Sequence, residues 1–297
     1  MTNAAERPVY RFAPTPNGRL HLGHAYSALV NLRGTRRFGG RLLLRMEDLD
    51  RSRCKLVYET AILEDLAWLG VSFEPAIRRQ SEHADDYAKA YRELDALGVL
   101  YPCFCTKSEI ATASRVAGLG RDPDGAPLYA GACRSRPAAA RRGDSPTLRL
   151  DMARALAIGS GELVWREFGE GEEERLQRAD PAAWGDVALK RRGAPATYHL
   201  AVVVDDALQG VSDVARGRDL FAATSLHRLL QQLLRLPAPR YRHHRLALDA
   251  KGEKMSKSAS STPLFRIREQ GVSAAQIRAS LGFETMRGES RLAIRLS

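Results

Sequence analysis

A chain of 297 residues, 44% of them hydrophobic, can build one large domain or a core that carries a substantial insertion. No apolar run reaches the length of a membrane span, no signal-peptide pattern opens the chain, and four cysteines are too few for a secreted disulfide scaffold, so a cytoplasmic protein is expected. The formal charge of +11, from 46 Lys+Arg against 35 Asp+Glu, favours a polyanionic partner, although an Arg-rich composition alone would give the same figure.

"PVYRFAP" (8–14) reads as a short strand, and "HLGHAYSALVNLRGTRRFG" (21–39) spaces Leu22, Ala25, Leu29 and Leu32 as a helix does. "RLLLRME" (41–47) is a second apolar run of strand length. Strand, helix and strand joined by a tight first turn predict a βαβ unit and a parallel sheet. Two more helices are expected at 55–70, ended by Gly70, and at 81–98, with Ser81 as N-cap and Gly98 as stop.

Residues 101–195 change character. They hold paired cysteines, a Gly/Pro/Asp loop "GLGRDPDGAP" (118–127), the stretch "RSRPAAARRGDSP" (134–146) and short strand candidates "TLRLDM" and "ELVWREF". This region is expected as an α+β insertion into the core. "TYHLAVVVDDAL" (197–208) resumes the buried-strand pattern, a helix is expected over 221–236, and the chain closes with "LALDAKGEKMSKS" (246–258) and a helical tail at 273–281. The expected organisation is therefore 8–100 and 196–265 as two halves of a catalytic domain, 101–195 as the inserted subdomain, and 266–297 as a C-terminal tail.

Chemistry enters at "NGRLHLGH". Gly18 permits a tight turn, and Gly23 lets a ligand approach the backbone at the helix start. His21 and His24, three apart, face one way and can donate to phosphate oxygens. A metal pair of the H-x-x-H kind, or two surface histidines, would fit the same letters. In "KGEKMSKS", Lys254 and Lys257 with two hydroxyl residues can close over a triphosphate, while a solvated surface loop is the alternative. "CFC" and "LYAGACR" place Cys103, Cys105, Tyr129 and Cys133 where three thiolates and a phenolate could hold zinc, or where three thiols could simply be buried. Cys54 stands alone.

"HLGH" near the start and "KMSKS" far downstream together resemble the paired signature of class I aminoacyl-tRNA synthetases. "RFAPTPNGRLHLGHAYSALVNL", "GGRLLLRMEDLDRSR" and "TYHLAVVVDDALQGVSDVARGRDL" resemble the Rossmann-like catalytic core of glutamyl-tRNA synthetases. In detail they resemble its shortened branch, the glutamyl-Q tRNA(Asp) synthetases. Only 39 residues follow Ser258, where a full-length enzyme has an anticodon-binding region, and an added domain needs about 100. "VARGRDL" also resembles the short branch, since full-length enzymes usually place two acidic residues after that glycine.

The resemblance implies activation of L-glutamate with ATP and Mg²⁺, without tRNA, followed by transfer to the queuosine base in the anticodon of tRNA(Asp). It implies Arg11 on the substrate's side-chain carboxylate, with Ala13 and Thr15 lining that pocket, Glu47 on the ammonium, and Tyr198 and Arg216 as further glutamate contacts. It implies His21, Gly23, His24 and Lys257 at ATP, with Lys254 in the closing loop, and a structural Zn²⁺ on Cys103, Cys105, Tyr129 and Cys133. Arg45, Asp48 and Asp50 could instead form a surface ion-pair ladder. "RYRHHR" (240–245) and the Arg-rich loop at 134–142 are candidate phosphate contacts, a solvated basic face being the alternative. Nothing demands more than a monomer. The competing expectations are a glutamyl-tRNA synthetase charging the 3′ end of tRNA(Glu), and an inactive zinc-containing RNA-binding module.

Overall fold

The computed structural model describes residues 7–135, 145–159, 161–169, 173–248, 262–283 and 295–296. In chain order the elements are β1 (Val9–Phe12), α1 (Leu22–Arg37), β2 (Arg41–Met46), α2 (Leu56–Trp68), β3 (Ile77–Arg79), α3 (Ala84–Ala96), β4 (Leu100–Cys103), α4 (Lys107–Val116), β5 (Thr147–Leu150), α5 (Met152–Ile158), β6 (Val164–Phe168), β7 (Glu174–Arg178), β8 (Ala188–Lys190), α6 (Tyr198–Leu208), β9 (Asp213–Gly217), α7 (Ala223–Leu233), β10 (Arg240–His244), β11 (Ala247–Leu248), α8 (Leu264–Glu269), α9 (Ala274–Ser280) and β12 (Arg295–Leu296). Among the described residues no helix is long and apolar enough to cross a membrane.

A seven-stranded sheet in the order β3-β2-β1-β9-β10-β6-β7 forms the centre, parallel throughout except for β7, which runs antiparallel to β6. The expected βαβ unit is present, with Val9 to Phe12 of β1 registered against Arg41 to Leu44 of β2. From β1 the chain winds outward to β2 and β3 and later returns on the other side as β9 and β10. The strand order thus reverses between β1 and β9, and an open α/β sheet carries its ligand crevice at such a point, beyond the carboxyl ends of the strands.

The alternation of side chains divides the two faces. Tyr10, Phe12, Leu42, Leu44 and Met46 pack with α1, α2, α8 and α9 through Leu29, Ile62, Leu66, Leu264 and Ile277. The opposite face begins apolar, with Val9 and Leu43 against Trp165, Val214 and Tyr241. Toward the carboxyl ends it becomes basic, because the same alternation puts Arg11 and Arg45 there. Helices α3, α5, α6 and α7 form a second apolar cluster on this side.

Three expectations change. Residues 198–208 form a helix, α6, and not a strand. His199 through Asp206 are all buried, so the run shows no polar face, and an unbroken apolar run does not distinguish a buried strand from a buried helix. "ELVWREF" does not stay in the insertion: β6 joins the central sheet beside β10 through Glu167 and Tyr241, drawn there by the burial of Trp165. The segment 101–195 therefore divides, with β4, β5 and β8 in a separate antiparallel sheet and β6–β7 extending the main one. Ser81 caps no helix. Asp48 accepts hydrogen bonds from both the Ser81 amide and hydroxyl, which holds residues 80–82 in a 3₁₀ turn, and α3 begins at Ala84. By contrast, Gly70 and Gly98 end their helices in the left-handed region, as expected, with φ of 73° and 68°.

Helix α6 is joined to the sheet by buried charge. Asp206 Oδ1 accepts from Arg11 Nε at 3.1 Å and from Arg45 at 2.7 Å. Asp205 accepts from Arg78 Nε and Gln80 Nε2, each at 2.7 Å, and from the Tyr87 hydroxyl. Arg11, Arg45 and Arg78 stand on three adjacent strands. Burial alone would raise the Asp206 pKa, but Arg11 and Arg45 outweigh it and hold the carboxyl below its ordinary value. Arg45, the candidate for a surface ladder, is fully buried. Of its proposed companions, Asp48 holds Ser81 and Asp50 turns back on Ser52 and Arg53.

Asp206→Ala strands two buried guanidiniums and is expected to cost about 3–5 kcal/mol, read as a lowered urea midpoint. Glu173→Gln, at an exposed pair with Arg175, is expected to change stability by no more than about 0.5 kcal/mol.

Candidate active site and metal-ligand cluster

A cavity of about 450 Å³ opens at the carboxyl ends of β1 and β9, where the strand order reverses. Arg11, Ala13, Thr15, His21, Gly23, His24, Glu47, Tyr198 and Arg216, all singled out in the sequence, line it. Residues 249–261 lie outside the described residues, so Lys254 and Lys257 do too.

The two histidines occupy the first turn of α1. His21 is the N-cap, and its Nδ1 accepts from the Gly23 amide at 3.1 Å. His24 Nδ1 accepts from the His21 amide at 3.2 Å. Both Nδ1 atoms are therefore unprotonated, and in the neutral rings the proton sits on Nε2. The ring centroids are 3.9 Å apart. Two imidazole N–H donors thus stand at a helix N-terminus whose backbone dipole already favours an anion. A ring that spends Nδ1 on capping keeps only Nε2 for other partners, which suits a phosphate better than a metal pair.

The other end of the cavity holds both signs of charge. Arg11 is tied to Asp206 across the floor. Glu47 lies 3.4 Å from Arg45, and burial raises its pKa in spite of Arg45 and Arg11. The Tyr198 hydroxyl accepts from Arg216 at 3.4 Å, and burial pushes its pKa up to about 12. Arg216 is buried and heavily constrained. It donates to His243 Nε2 at 3.1 Å, His227 Nδ1 at 3.1 Å, the Leu220 carbonyl at 3.2 Å and Thr224 Oγ1 at 2.7 Å. Two fixed guanidiniums and a nearby carboxylate can orient a small molecule that carries both a carboxylate and an ammonium.

Several supporting residues escape a reading of the sequence. Asp206 holds Arg11. His243 and His227 hold Arg216, and the Glu167 carboxylate in turn accepts from the His243 amide at 2.8 Å and lies 2.9 Å from its Nδ1. "RYRHHR" is only partly a surface strip: Arg240 pairs with Asp213 at 2.6 Å, His243 turns inward and His244 lines the cavity, while Arg242 is half-buried and Arg245 exposed. In the Arg-rich loop, Arg134 is spent on Asp186 at 2.6 Å, and residues 136–144 lie outside the described residues.

A second constellation lies between β4, α4 and the loop before Cys133. The sulfurs of Cys103, Cys105 and Cys133 all lie within 4.8 Å of one another. The Tyr129 oxygen is 3.4 Å from Cys103 Sγ and 3.5 Å from Cys105 Sγ. The donor set fits zinc: a tetrahedron with 2.3 Å metal–sulfur bonds has edges of about 3.8 Å, within the observed spacing. Burial pushes the Cys105 thiol up to about 11. Burial pushes on Cys133 too, but hydrogen bonds from Tyr129 and the Phe104 backbone outweigh it and bring that thiol down to about 7. Arg149 stacks on the Tyr129 ring at 4.0 Å.

Residues 9–283 match the family described as tRNA synthetases class I (E and Q), catalytic domain. The glutamyl-Q tRNA(Asp) synthetase of Rhodobacter capsulatus is 41% identical over 92% of this chain and 99% of its own length. The enzyme of the same name from Nitratidesulfovibrio vulgaris is 36% identical over 90% of this chain and 83% of its own. A glutamate tRNA ligase structure from Elizabethkingia meningosepticum superposes with a TM-score of 0.72 at 23% identity, covering 93% of this chain and 60% of that one, and so shares the fold. A chain that matches a synthetase catalytic domain over nearly its whole length is an ATP-dependent ligase of the class I tRNA synthetases (E and Q), and within them it belongs to the glutamyl-Q tRNA(Asp) synthetase family.

Proposed function

We propose that the protein activates L-glutamate with ATP in the absence of tRNA and then transfers the glutamyl group to the queuosine base in the anticodon of tRNA(Asp). One observation carries the first step. Two guanidiniums, a carboxylate and two imidazole N–H donors face a single cavity at the reversal point of the sheet.

Arg11 and Arg216 receive carboxylate oxygens, with Arg11 on the side-chain carboxylate. Tyr198 adds a hydroxyl contact, Ala13 and Thr15 shape the wall, and Glu47 pairs with the ammonium. Glu47 and the bound ammonium partner each other, so substrate binding draws the Glu47 pKa back down. His21 and His24 then direct their Nε2–H groups at the α-phosphate of ATP, while Gly23 admits it close to the helix backbone.

An oxygen of the glutamate α-carboxylate attacks the α-phosphorus. The bond between that phosphorus and the oxygen bridging to the β-phosphate breaks, glutamyl-adenylate forms, and pyrophosphate leaves with the electron pair. No side-chain nucleophile is needed. The protein contributes alignment and neutralisation of charge. Lys254 and Lys257 would follow the charge as it moves onto pyrophosphate, and the Mg²⁺ expected with ATP would neutralise part of the triphosphate. The adenylate is a mixed anhydride, so a nucleophilic group on the queuosine ring can take the acyl carbon and release AMP.

Cys103, Cys105, Tyr129 and Cys133 would hold a structural zinc ion. Its chemistry is that of a clamp, joining β4 to the loop that carries Tyr129 and Cys133. A monomer in the cytoplasm fits this role.

Glutamate-dependent ATP–pyrophosphate exchange without tRNA tests the activation step. Arg216→Ala is expected to lower it at least about 100-fold, as loss of a charged anchor does, with ATP binding retained. Radiolabelled glutamate is expected on queuosine-containing tRNA(Asp) and not on tRNA(Glu); labelling of the tRNA(Glu) 3′ end would overturn the transfer assignment.

Metal analysis of the purified protein is expected to give about one zinc per chain. Chelation or Cys133→Ser is expected to remove the metal and lower Tm.

A further inference from the structure

Arg216 offers only donors, so every group that meets it has to accept. Its NH1 lies 3.1 Å from His227 Nδ1, which leaves the proton of a neutral His227 on Nε2. That Nε2 is 3.3 Å from His199 Nδ1, so His199 accepts there and carries its own proton on Nε2. His199 Nε2 in turn lies 3.5 Å from a carboxylate oxygen of Asp124. Each tautomer is thus set by its neighbour: two hydrogen bonds run head to tail from the Arg216 cation through both rings, and the outer N–H of His199 faces the Asp124 carboxylate across an ion-pair contact. Both rings are buried, and Trp184 and Tyr198 pack edge-on against His199 at 4.8 and 5.4 Å. Burial, reinforced by the Arg216 charge, holds His227 well below the ordinary imidazole pKa, so the ring stays neutral.

The far end of this relay is not in the catalytic sheet. Asp124 belongs to the loop 118–127, five residues before Tyr129 of the cysteine cluster. The loop is internally built: Ala126 N donates to Asp122 at 2.8 Å, Arg121 donates to the Gly125 carbonyl, and Gly125 turns it with a φ of 83°. Asp124 is half exposed and its contact is long, so it contributes little binding energy of its own. What it contributes is a choice of tautomer. A His199 turned to the opposite tautomer would present an N–H to the His227 N–H, and His227, turned in consequence, would present an N–H to Arg216. Donor against donor would push the guanidinium aside.

We propose that His227 and His199 are positioning residues for glutamate binding, with tautomers set by Asp124, so that the loop 118–127 tunes the affinity of the cavity for its amino acid by fixing Arg216. This rests on the assignment of Arg216 to glutamate. The orientation of a charged anchor governs ground-state binding of the ligand it holds, so the effect is expected in KM for glutamate and not in the chemical step.

Asp124→Ala, at an exposed loop position, is expected to raise KM for glutamate about fivefold in the exchange assay, with kcat and KM for ATP changed by less than about twofold. His227→Leu, which removes the acceptor from Arg216, is expected to raise it more than His227→Asn, which keeps an acceptor near the Nδ1 position. Nitrogen-15 NMR of the histidine rings in the substrate-free protein is expected to show His227 and His199 both protonated on Nε2, with the His199 pattern altered in Asp124→Ala. An unchanged KM in Asp124→Ala, or a proton on Nδ1 of His227, would overturn the relay. Absence of glutamate-dependent exchange in the unaltered protein would instead strike the assignment of the cavity, and the NMR pattern would still decide the hydrogen-bond direction.

Discussion

Two adjacent aspartates, Asp205 and Asp206, on one buried helix face three arginines on three adjacent strands, and the architecture of the cavity depends on that match. Charges taken out of water need partners, and a buried pair is unforgiving when one member is lost. Arg11, Arg45 and Arg78 could not stand at the carboxyl ends of β1, β2 and β3 without Asp205 and Asp206 above them. The network therefore does more than attach α6 to the sheet. It fixes the rotation and height of the helix, and so it fixes Tyr198, which begins that helix and projects into the cavity.

The sheet supplies the second constraint. Parallel strands point their carboxyl ends in one direction, and the reversal between β1 and β9 leaves a gap there that no crossover covers. The first turn of α1 follows β1 directly, so its imidazoles border the same gap. A histidine capping box is an unusual way to begin a helix, since Ser, Thr, Asp and Asn are the common caps. Here the cap also sets a tautomer: an Nδ1 spent on the backbone leaves Nε2–H as the donor.

What was legible in the sequence follows from this. "HLGH" was legible because its parts are neighbours along the chain, and their geometry is that of one helical turn. Arg11, Glu47, Tyr198 and Arg216 could be singled out only through resemblance, since each is one residue in a different element and nothing local marks it. Asp206, His227, His243 and Glu167 act on other side chains far away in sequence, as Asp206 does on Arg11 across 195 residues. No periodicity records such a contact. The misplaced elements differ in cause. The apolar run of α6 is buried on all sides, which removes the alternation by which a strand or a helix announces itself, whereas "ELVWREF" is the strand it reads as and only its partner β10, far along the chain, was out of reach. "RYRHHR" reads as uniformly basic, yet Arg240 is paired with Asp213, and the His243 ring, whose pKa burial lowers, is held by Glu167.

The two arginines of the cavity are treated differently, and the difference bears on what the site can hold. Arg11 meets a full carboxylate at 3.1 Å, and although Asp206 is shared with Arg45, Asp205 also lies 3.9 Å from Arg45, so part of the charge on that side is compensated before any ligand arrives. Among the described residues Arg216 meets neutral hydrogen-bond acceptors: two imidazoles, a hydroxyl, a phenol oxygen and a carbonyl. These groups orient the guanidinium without cancelling it, and the carboxylates that complete the two histidine arms, Glu167 and Asp124, stand one and two rings away. In a medium of low dielectric, the distance of a counter-charge decides how much field is left at the cation. Arg216 is thus the stronger electrostatic attractor in the cavity and Arg11 the one already paired with a counter-charge. A substrate bearing two carboxylates and one ammonium can satisfy both, with Glu47 receiving the ammonium, whereas a neutral amide in place of one carboxylate would leave a buried cation uncompensated.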